Sequence, residues 1–252
     1  MATRYPIVPN NITVHLGAPN EQANDITVPF TDYLSNVASS ELYPTWPRNA
    51  LVANIYAIIS FAMNRIYNEW YPSRGYSFNI TSLPAYDQAY IEDKEYFDVI
   101  SKKVDEIFNN YIYREGQVQP LFAAYCDGRV TTCDGLSQWG SVSLAKQGKT
   151  PLEILKYYYG NDIRIFKDAP VGEISSTYPG YVLELSEPGP QVEIIQSELN
   201  RISNNYPAIP KIEKVNGYFG VDTENAVKNL SVFKNETAFL TNLAYKLIDR
   251  KS

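Results

Sequence analysis

The stretch PRNALVANIYAIISFAMNRIYNEW, residues 47–70, decides the architecture of this chain. Its large apolar residues recur at the spacing of one helix face. The residues that share this face are Leu51, Ile55, Ile58, Ile59, Ala62, Ile66 and Trp70. Pro47 suits the first position of the helix, because its missing N–H would have no partner there. The stretch therefore predicts a long, buried central helix.

Upstream of the central helix, the pattern changes from helical to alternating. Residues 12–16 and 26–30 alternate apolar and polar side chains, which predicts two short strands of a hairpin. Thr31 or Asp32 can then cap a helix that ends near Ser40, because the apolar residues of that run fall on one side.

Downstream, the sequence predicts further helices and strands. The run 94–110 repeats apolar residues at helical spacing, which indicates an amphipathic helix. Residues 111–113 and 118–125 predict two strands joined by a turn. Thr150-Pro151-Leu152-Glu153 forms a capping box with proline at N1, and it begins a helix that Gly160 ends. The predicted fold class is therefore α+β.

The domain organisation follows from the distribution of prolines and glycines. Residues 1–168 are predicted to form the mixed helix and strand domain, with residues 1–30 as a β-rich extension. Residues 169–188 have no helical period and are rich in proline and glycine, which is typical of a linker. Residues 189–252 are predicted to form a small three-helix domain.

Composition excludes several classes of protein. With 252 residues, 44% hydrophobic and 20% charged, the chain can bury a core, which excludes a disordered protein. The net charge of −6 leaves no basic surplus for nucleic acid, so none is predicted as a partner. No membrane span is predicted either. The start lacks a signal-peptide pattern, which leaves release by lysis, assembly into a particle, or a removed leader as alternatives.

The chain has few residues that bind metals. His15 is the single histidine, and Cys126 and Cys133 are the only cysteines. A structural zinc site usually takes four nitrogen or sulfur ligands, so no metal or other cofactor is predicted. The two cysteines bracket a short loop that a disulfide could close, and two buried thiols are the equal alternative.

Glu41 is the candidate acid, because of its neighbours in sequence. The residues that follow it are apolar or aromatic: Leu42, Tyr43, Pro44 and Trp46. A carboxyl held against such a wall has a raised pKa, since burial disfavours the charged form. The alternative interpretation is an exposed glutamate at a helix end.

Two blocks carry a resemblance to a known family. The first is VASSELYPTWP at residues 37–47, followed by Ala50-Leu51 and Ala53. The second is GLSQWG at residues 135–140, followed by EILKYYY at residues 153–159. These blocks resemble the two signatures of the stage II sporulation protein D (SpoIID/LytB) family, and the resemblance covers about residues 31–166.

The resemblance implies an activity and a site. In that family the glutamate corresponding to Glu41 is the catalytic residue of a peptidoglycan lytic transglycosylase. Such an enzyme cleaves the bond between N-acetylmuramic acid and N-acetylglucosamine without water and leaves a 1,6-anhydro end. The residues predicted to bind the glycan strand are those around the two blocks: Tyr43, Trp46, Tyr125, Gly135, Ser137, Gln138 and Trp139. For Ser137 and Gln138 the alternative is that they hold the loop by bonding to backbone.

The sequence also departs from the family. Asn54 and Ile59 stand where members usually carry glutamine and arginine, and residues 86–90 contain no histidine or cysteine where some members bind zinc. These departures favour an alternative function, a non-catalytic wall-binding or structural component of a spore layer or a phage-like tail. Enhancement of a partner amidase is a third alternative.

The C-terminal segment resembles the small peptidoglycan-binding domain. The matching residues run from Gly189 through Leu199 and continue in the NGYFG turn at 216–220 and at Thr223 to Val227. The resemblance implies that this domain directs the protein to peptidoglycan glycan strands at the cell wall. A generic helical appendage is the alternative.

Overall fold

The computed structural model describes residues 6–117, 119–174, 183–204 and 206–232. These residues divide into two compact units, of which the first ends at Ile174. The fold is mixed α+β, as the sequence predicts at this coarse level.

The described elements are short except for one helix. The helices are α1 (Phe30–Glu41), α2 (Arg48–Tyr67), α3 (Asp98–Ile107), α4 (Gln138–Lys146), α5 (Pro151–Tyr159), α6 (Pro190–Ser203) and α7 (Val221–Lys228). The strands are β1 (Val8–Pro9), β2 (Asn11–His15), β3 (Asp25–Pro29), β4 (Ile80–Thr81), β5 (Tyr111–Arg114), β6 (Tyr125–Cys126), β7 (Leu136–Ser137), β8 (Ile163–Phe166) and β9 (Val171–Gly172). Single 3₁₀ turns lie at Pro72–Arg74 and Asn229–Val232.

The central helix α2 organises the first unit, as predicted. It packs against two apolar clusters, one through residues such as Ile55 and Ile58 and the other through Ala53 and Ala57. A helix that is apolar on nearly all sides is stable in water only when it is buried. Among the described residues, only α2 is long and apolar enough to cross a membrane, and most of it is buried inside the protein. Pro47 is the N-cap residue instead of the first helical residue.

The predicted N-terminal hairpin is confirmed. Strands β2 and β3 pair antiparallel with Ile12 opposite Val28. Strand β4 then pairs parallel with β2 and completes a three-stranded sheet. The His15 ring closes the hairpin loop, because Nδ1 bonds to Asp25 Oδ1 at 2.7 Å.

Two helix boundaries differ from the sequence prediction. Helix α1 begins at Phe30, and its N-cap residue is Pro29, so neither Thr31 nor Asp32 caps it. The helix starts before these two polar residues because the Phe30 side chain, which is 1% exposed, packs into the core. Helix α3 spans Asp98–Ile107 and is shorter than the predicted 94–110. The apolar residues continue at helical spacing beyond the residues whose backbone forms the helix.

The predicted hairpin between residues 111–113 and 118–125 is wrong. Strand β5 instead pairs antiparallel with β8, which places Ile112 opposite Ile165. Val118 lies outside the described residues, and Pro120 has no N–H to donate to a strand ladder. Among the described residues of the two runs, one backbone bond between them is present, from Leu121 N to Ile112 O at 2.7 Å.

The segment from β6 to α5 contains the predicted helix α5 and two elements that the sequence analysis does not predict, β7 and α4. Strand β6 pairs parallel with β7, and Ser137 caps α4 by accepting a hydrogen bond from Gly140 N. Thr150 and Glu153 form the predicted capping box, and α5 ends at Gly160.

The predicted linker, residues 169–188, is partly structured at both ends. Strand β9 pairs parallel with β1, so residues 171–172 belong to the first unit. Leu183 is buried in the core of the second unit. Residues 175–182 lie outside the described residues.

The second unit contains α6 and α7 around a small apolar core. Phe219 is 1% exposed in this core, and Gly217 takes the left-handed conformation at φ +69° in the predicted turn. The buried Gln196 amide holds the turn, because it accepts from the Gly217 N–H at 3.0 Å and donates to Tyr218 O at 2.8 Å. The third predicted helix falls in residues 233–252, which lie outside the described residues.

Candidate functional site

Glu41 is the last residue of α1, and the fold turns its carboxyl inward. The residue is half-buried as a whole, but its carboxyl group is enclosed by protein. The next residue, Leu42, is 3% exposed and anchors the chain in the core as it leaves the helix. The alternative of an exposed glutamate at a helix end is therefore excluded for this carboxyl.

Three hydrogen-bond donors reach the Glu41 carboxyl from distant parts of the chain. The Ala89 N–H donates to Oε1 at 2.9 Å, and Gln138 Nε2 donates to Oε2 at 3.3 Å. The Tyr125 hydroxyl bonds to the same carboxyl. These donors lie about fifty to a hundred residues away in sequence, so the site exists only in the folded chain.

Burial and hydrogen bonding act on Glu41 in opposite directions. Burial raises the pKa of Glu41, and the bonds from Ala89, Tyr125 and Gln138 lower it by a smaller amount, so that the net pKa is about 7 instead of 4.5. Burial disfavours the ionised form because it removes the carboxylate from water. Near neutral pH the carboxyl is therefore present in both protonation states, as a group that gives and retrieves a proton requires.

A chain of buried amide and phenol groups fixes the direction of the Tyr125 bond. Gln88 Nε2 donates to the Tyr125 hydroxyl oxygen at 2.9 Å and to Ile58 O at 3.2 Å. The Tyr33 hydroxyl donates to Gln88 Oε1 at 2.9 Å. Burial, together with the charge of Glu41, raises the pKa of Tyr125 well above 10. Tyr125 therefore stays neutral and donates to Glu41.

Asp87 holds the segment that supplies Gln88 and Ala89. Its buried carboxylate accepts from Arg65 Nε at 2.8 Å and from the Tyr71 hydroxyl at 2.6 Å. It also accepts from Thr81 N at 2.9 Å. A buried carboxylate with this many donors is satisfied, so Asp87 fixes the backbone and offers no free oxygen.

The segment around Asp87 also bears on the metal question. In residues 86–90, Asp87 and Gln88 are committed to the contacts above. Across residues 6–117, 119–174, 183–204 and 206–232, no group of three or more histidine, cysteine, aspartate or glutamate side chains could hold a metal ion.

Three aromatic rings form a cluster beside the site. The ring centroids of Trp46 and Trp139 are 4.9 Å apart, and that of Tyr43 lies 5.6 Å from Trp46 and 5.7 Å from Trp139. Tyr43 is 57% exposed, whereas Trp46 is 8% exposed. Of the aromatic residues predicted to bind the glycan strand, Tyr43 therefore presents an open ring, and Trp46 packs against it.

The loop between Cys126 and Cys133 covers Trp139. The two cysteines form a disulfide. Inside the loop, Asp127 accepts the backbone N–H groups of Arg129 and Thr131 at 3.1 and 2.8 Å. The Arg129 guanidinium carbon lies 3.4 Å from the centroid of the Trp139 ring. Trp139 is thus half-buried beneath a cation that the sequence analysis did not single out.

Ser137 and Gly135 have structural roles in this arrangement. The Ser137 hydroxyl accepts from Gly140 N at 3.0 Å, which is the backbone-bonding alternative for this residue. A Cβ at Gly135 would lie 2.1 Å from Ala124 O, so the close approach of the two backbones requires glycine. The residue that hydrogen-bonds to Glu41 from this segment is Gln138.

The two departures from the family pattern are both buried in α2. Ile59 is fully buried in the apolar core. Asn54 donates to Ala50 O and to Ser141 Oγ, both at 2.8 Å, and so joins α2 to α4.

Sequence reasoning missed Gln88, Ala89 and Arg129. Ala89 acts through its backbone N–H, which leaves no signal in the side-chain pattern. Gln88 falls in the stretch 86–90, where the family resemblance points to metal ligands and not to hydrogen-bond donors. Arg129 lies in the loop that the two cysteines delimit, and that loop was its only signal.

No protein-family model matches the chain, and no curated protein matches it.

Proposed function

We propose that this protein is a peptidoglycan lytic transglycosylase that cleaves the bond between N-acetylmuramic acid and N-acetylglucosamine and leaves 1,6-anhydro ends. One observation carries the proposal: the enclosed Glu41 carboxyl, whose pKa burial raises to about 7 while three donors hold it in place. The resemblance of residues 31–166 to the SpoIID family points to the same residue.

The chemistry needs one carboxyl that acts twice. Protonated Glu41 gives its proton to the glycosidic oxygen as the bond to C1 breaks. The C6 hydroxyl of the same sugar then bonds to C1, and its proton returns to Glu41. No water is consumed, and the carboxyl is regenerated. Hydrolysis normally requires two carboxyl groups on opposite sides of the bond, so a single tuned carboxyl suits the transfer better.

The donors around Glu41 support the charge that develops between the two steps. The Ala89 N–H and the Tyr125 hydroxyl already point at the carboxyl before the proton leaves. Preorganised donors stabilise a developing charge without rearranging during the reaction.

Two exposed groups beside the site suit the chemistry of the glycan. The open ring of Tyr43 can stack on an N-acetylhexosamine. The exposed Arg129 guanidinium, held over Trp139, can pair with the lactyl carboxylate of a muramic acid residue from which the stem peptide has been removed. We propose that the second unit binds the same wall polymer, so the protein acts at the cell wall.

A second candidate function rests on Ile59. This residue is buried in the core where the catalytic family usually carries arginine, which favours a non-catalytic wall-binding or structural component of a spore layer or phage-like particle. The two functions differ in one respect that can be measured, the appearance of anhydro ends.

Glu41→Gln tests the catalytic function. Glutamine keeps the shape of the side chain but neither gives nor retrieves a proton, so cleavage of purified glycan strands should fall about 10²–10⁴-fold. Mass spectrometry of the products is the measurement, because an anhydro end weighs one water less than a hydrolysed end.

Glu95→Gln is the matched control, since Glu95 is an exposed glutamate of the same unit. It should cleave at the wild-type rate. If Glu41→Gln cleaves glycan strands at the wild-type rate, the assignment of Glu41 as the catalytic residue is rejected. Wild-type protein that binds whole sacculi but yields no anhydro ends would establish the non-catalytic function.

A further inference from the structure

We propose that the exchangeable proton of Glu41 resides on Oε2, and that the Gln138 amide is the positioning group that reverses its orientation when this proton leaves and returns. The inference deepens the proposed function and rests on it for its catalytic meaning. The inference rests on the three groups that hydrogen-bond to the Glu41 carboxyl. The Ala89 N–H and the Tyr125 hydroxyl are restricted to donation, whereas the Gln138 amide can donate or accept.

Oε1 faces a donor that cannot change. The Ala89 backbone N–H lies 2.9 Å from Oε1 and can only donate. The oxygen of a carboxylic acid that accepts such a bond is the carbonyl oxygen, because the hydroxyl oxygen is the weaker acceptor and needs an acceptor for its own proton. Oε1 is therefore the carbonyl oxygen whenever Glu41 is protonated.

Tyr125 is likewise restricted to donation. Its hydroxyl oxygen accepts a hydrogen bond from Gln88 Nε2 at 2.9 Å, and the Gln88 orientation is fixed by Tyr33 and by Ile58 O. Tyr125 can therefore donate to the Glu41 carboxyl but is poorly placed to accept from it.

Gln138 is the partner that can change its role. Its amide carries a donor and an acceptor that exchange places when the group turns over. Nε2 lies 3.3 Å from Oε2, the orientation that suits the ionised carboxyl. With the amide reversed, its oxygen would accept the proton of a neutral Glu41. Because α4 begins at Gln138 under the Ser137 cap, the backbone stays fixed while the amide turns.

The surrounding charges leave this assignment intact. Tyr33 and Tyr125 are the titratable groups whose pKa values the Glu41 charge raises. The Lys94 ammonium donates to Ser39 O at 3.2 Å, and Asp87 is paired with Arg65. Gln138 is thus the group beside Glu41 that can answer a change of its protonation by turning over.

Neutron diffraction from the deuterated full-length protein tests the proposal directly. Below neutral pH we expect a deuteron on Oε2 within hydrogen-bonding distance of the Gln138 amide oxygen. Well above neutral pH we expect no deuteron on Glu41 and the amide nitrogen facing Oε2. A deuteron on Oε1, or the same amide orientation at both pH values, would overturn the proposal.

Gln138→Met provides a second test in solution. Methionine fills the same space but makes neither amide hydrogen bond. The bond to the ionised carboxyl is charge-assisted and is the stronger of the two, so the labelled Glu41 carboxyl should titrate at higher pH in carbon NMR. If the protein is catalytic, kcat should fall about tenfold with KM little changed, because the bond acts on the proton and not on the sugar. Gln147→Met, at the exposed end of α4, is the control and should change neither.

The readouts separate this inference from the proposed function. An unchanged Glu41 titration in Gln138→Met would contradict the proton assignment even in an active enzyme. A raised KM with an unchanged titration would mean that Gln138 binds substrate, and it would also overturn the proposal. Neutron and NMR results as expected, in a protein that forms no anhydro ends, would support the proton assignment and reject the transglycosylase function alone.

Discussion

Glu41 owes its raised pKa to burial, whereas the groups that hydrogen-bond to its carboxyl lie far from it in sequence. The apolar run after it predicts a raised pKa, and the direction agrees with the structure. Leu42 does face the core, but Tyr43 is largely exposed. The donors to the carboxyl are Ala89, Tyr125 and Gln138, which lower its pKa by less than burial raises it. The sequence could thus identify the residue from its local environment, but it could not identify the donors that hold it.

The raised pKa of Glu41 predicts a specific pH dependence of stability. Below pH 4.5 the carboxyl is protonated in both the folded and the unfolded chain. Between 4.5 and about 7 the unfolded chain loses the proton first, so the free energy of unfolding decreases as pH rises. Above 7 the loss is complete and amounts to about 3 kcal/mol.

Glu41→Gln should remove this dependence. The difference in free energy of unfolding between variant and wild type should grow in favour of the variant from acidic pH to pH 8, as measured by urea denaturation. Other titrating groups cancel in this difference, because they are the same in both proteins. Parallel curves across the whole range would show that Glu41 titrates at its ordinary pKa in the folded protein.

At the scale of elements, the success of sequence reasoning depended on whether the signal was local. The α5 capping box and the central helix were predicted because a few adjacent residues specify them. The pairing of β5 was not, since its partner β8 lies about fifty residues further along the chain. Strand pairing is chosen by the whole fold, and a turn signal after β5 does not reveal it.

The loop closed by Cys126 and Cys133 gives an element-scale prediction. Reduction should lower the free energy of unfolding by about 2–3 kcal/mol, the chain-entropy value for so short a loop. It should also loosen Arg129 from Trp139, which changes tryptophan fluorescence before unfolding begins. Denaturation with and without reductant is the measurement.

A variant with both cysteines replaced by serine serves as the control for this prediction. It should match the reduced wild type and be insensitive to reductant. Identical unfolding of oxidised and reduced wild-type protein would show that the loop is held by the Asp127 hydrogen bonds alone.

At the scale of the whole molecule, local composition predicts that the chain divides into two parts, but it does not identify the residue at which the first part ends. The stretch rich in proline and glycine predicts a linker from residue 169. In the structure, however, β9 near the end of the first unit pairs with β1 near its start in the sequence. A parallel pair between strands of two residues leaves no periodic pattern to detect. The first unit therefore ends at Ile174, which defines where a truncation should be made.

Truncation after Ile174 tests the role proposed for the second unit. The first unit keeps both of its apolar clusters, Glu41 and every donor to it, so cleavage of short soluble glycan strands should be unchanged. Attachment to whole sacculi should weaken at least about tenfold, because a tethered binding module raises the effective concentration of the site at the polymer. Sedimentation with sacculi and product analysis on soluble strands measure the two effects.

Adding residues 175–252 as a separate chain shows whether the second unit must be covalently joined to the first in order to act. A tether works only when it is covalent, so the separate chain should bind sacculi by itself and leave attachment of the truncated protein weak. Restored attachment would mean that the two units associate, and equal loss on soluble strands and sacculi would mean that the second unit stabilises the first. Because Glu41 and all its donors come from the first unit, we expect neither result.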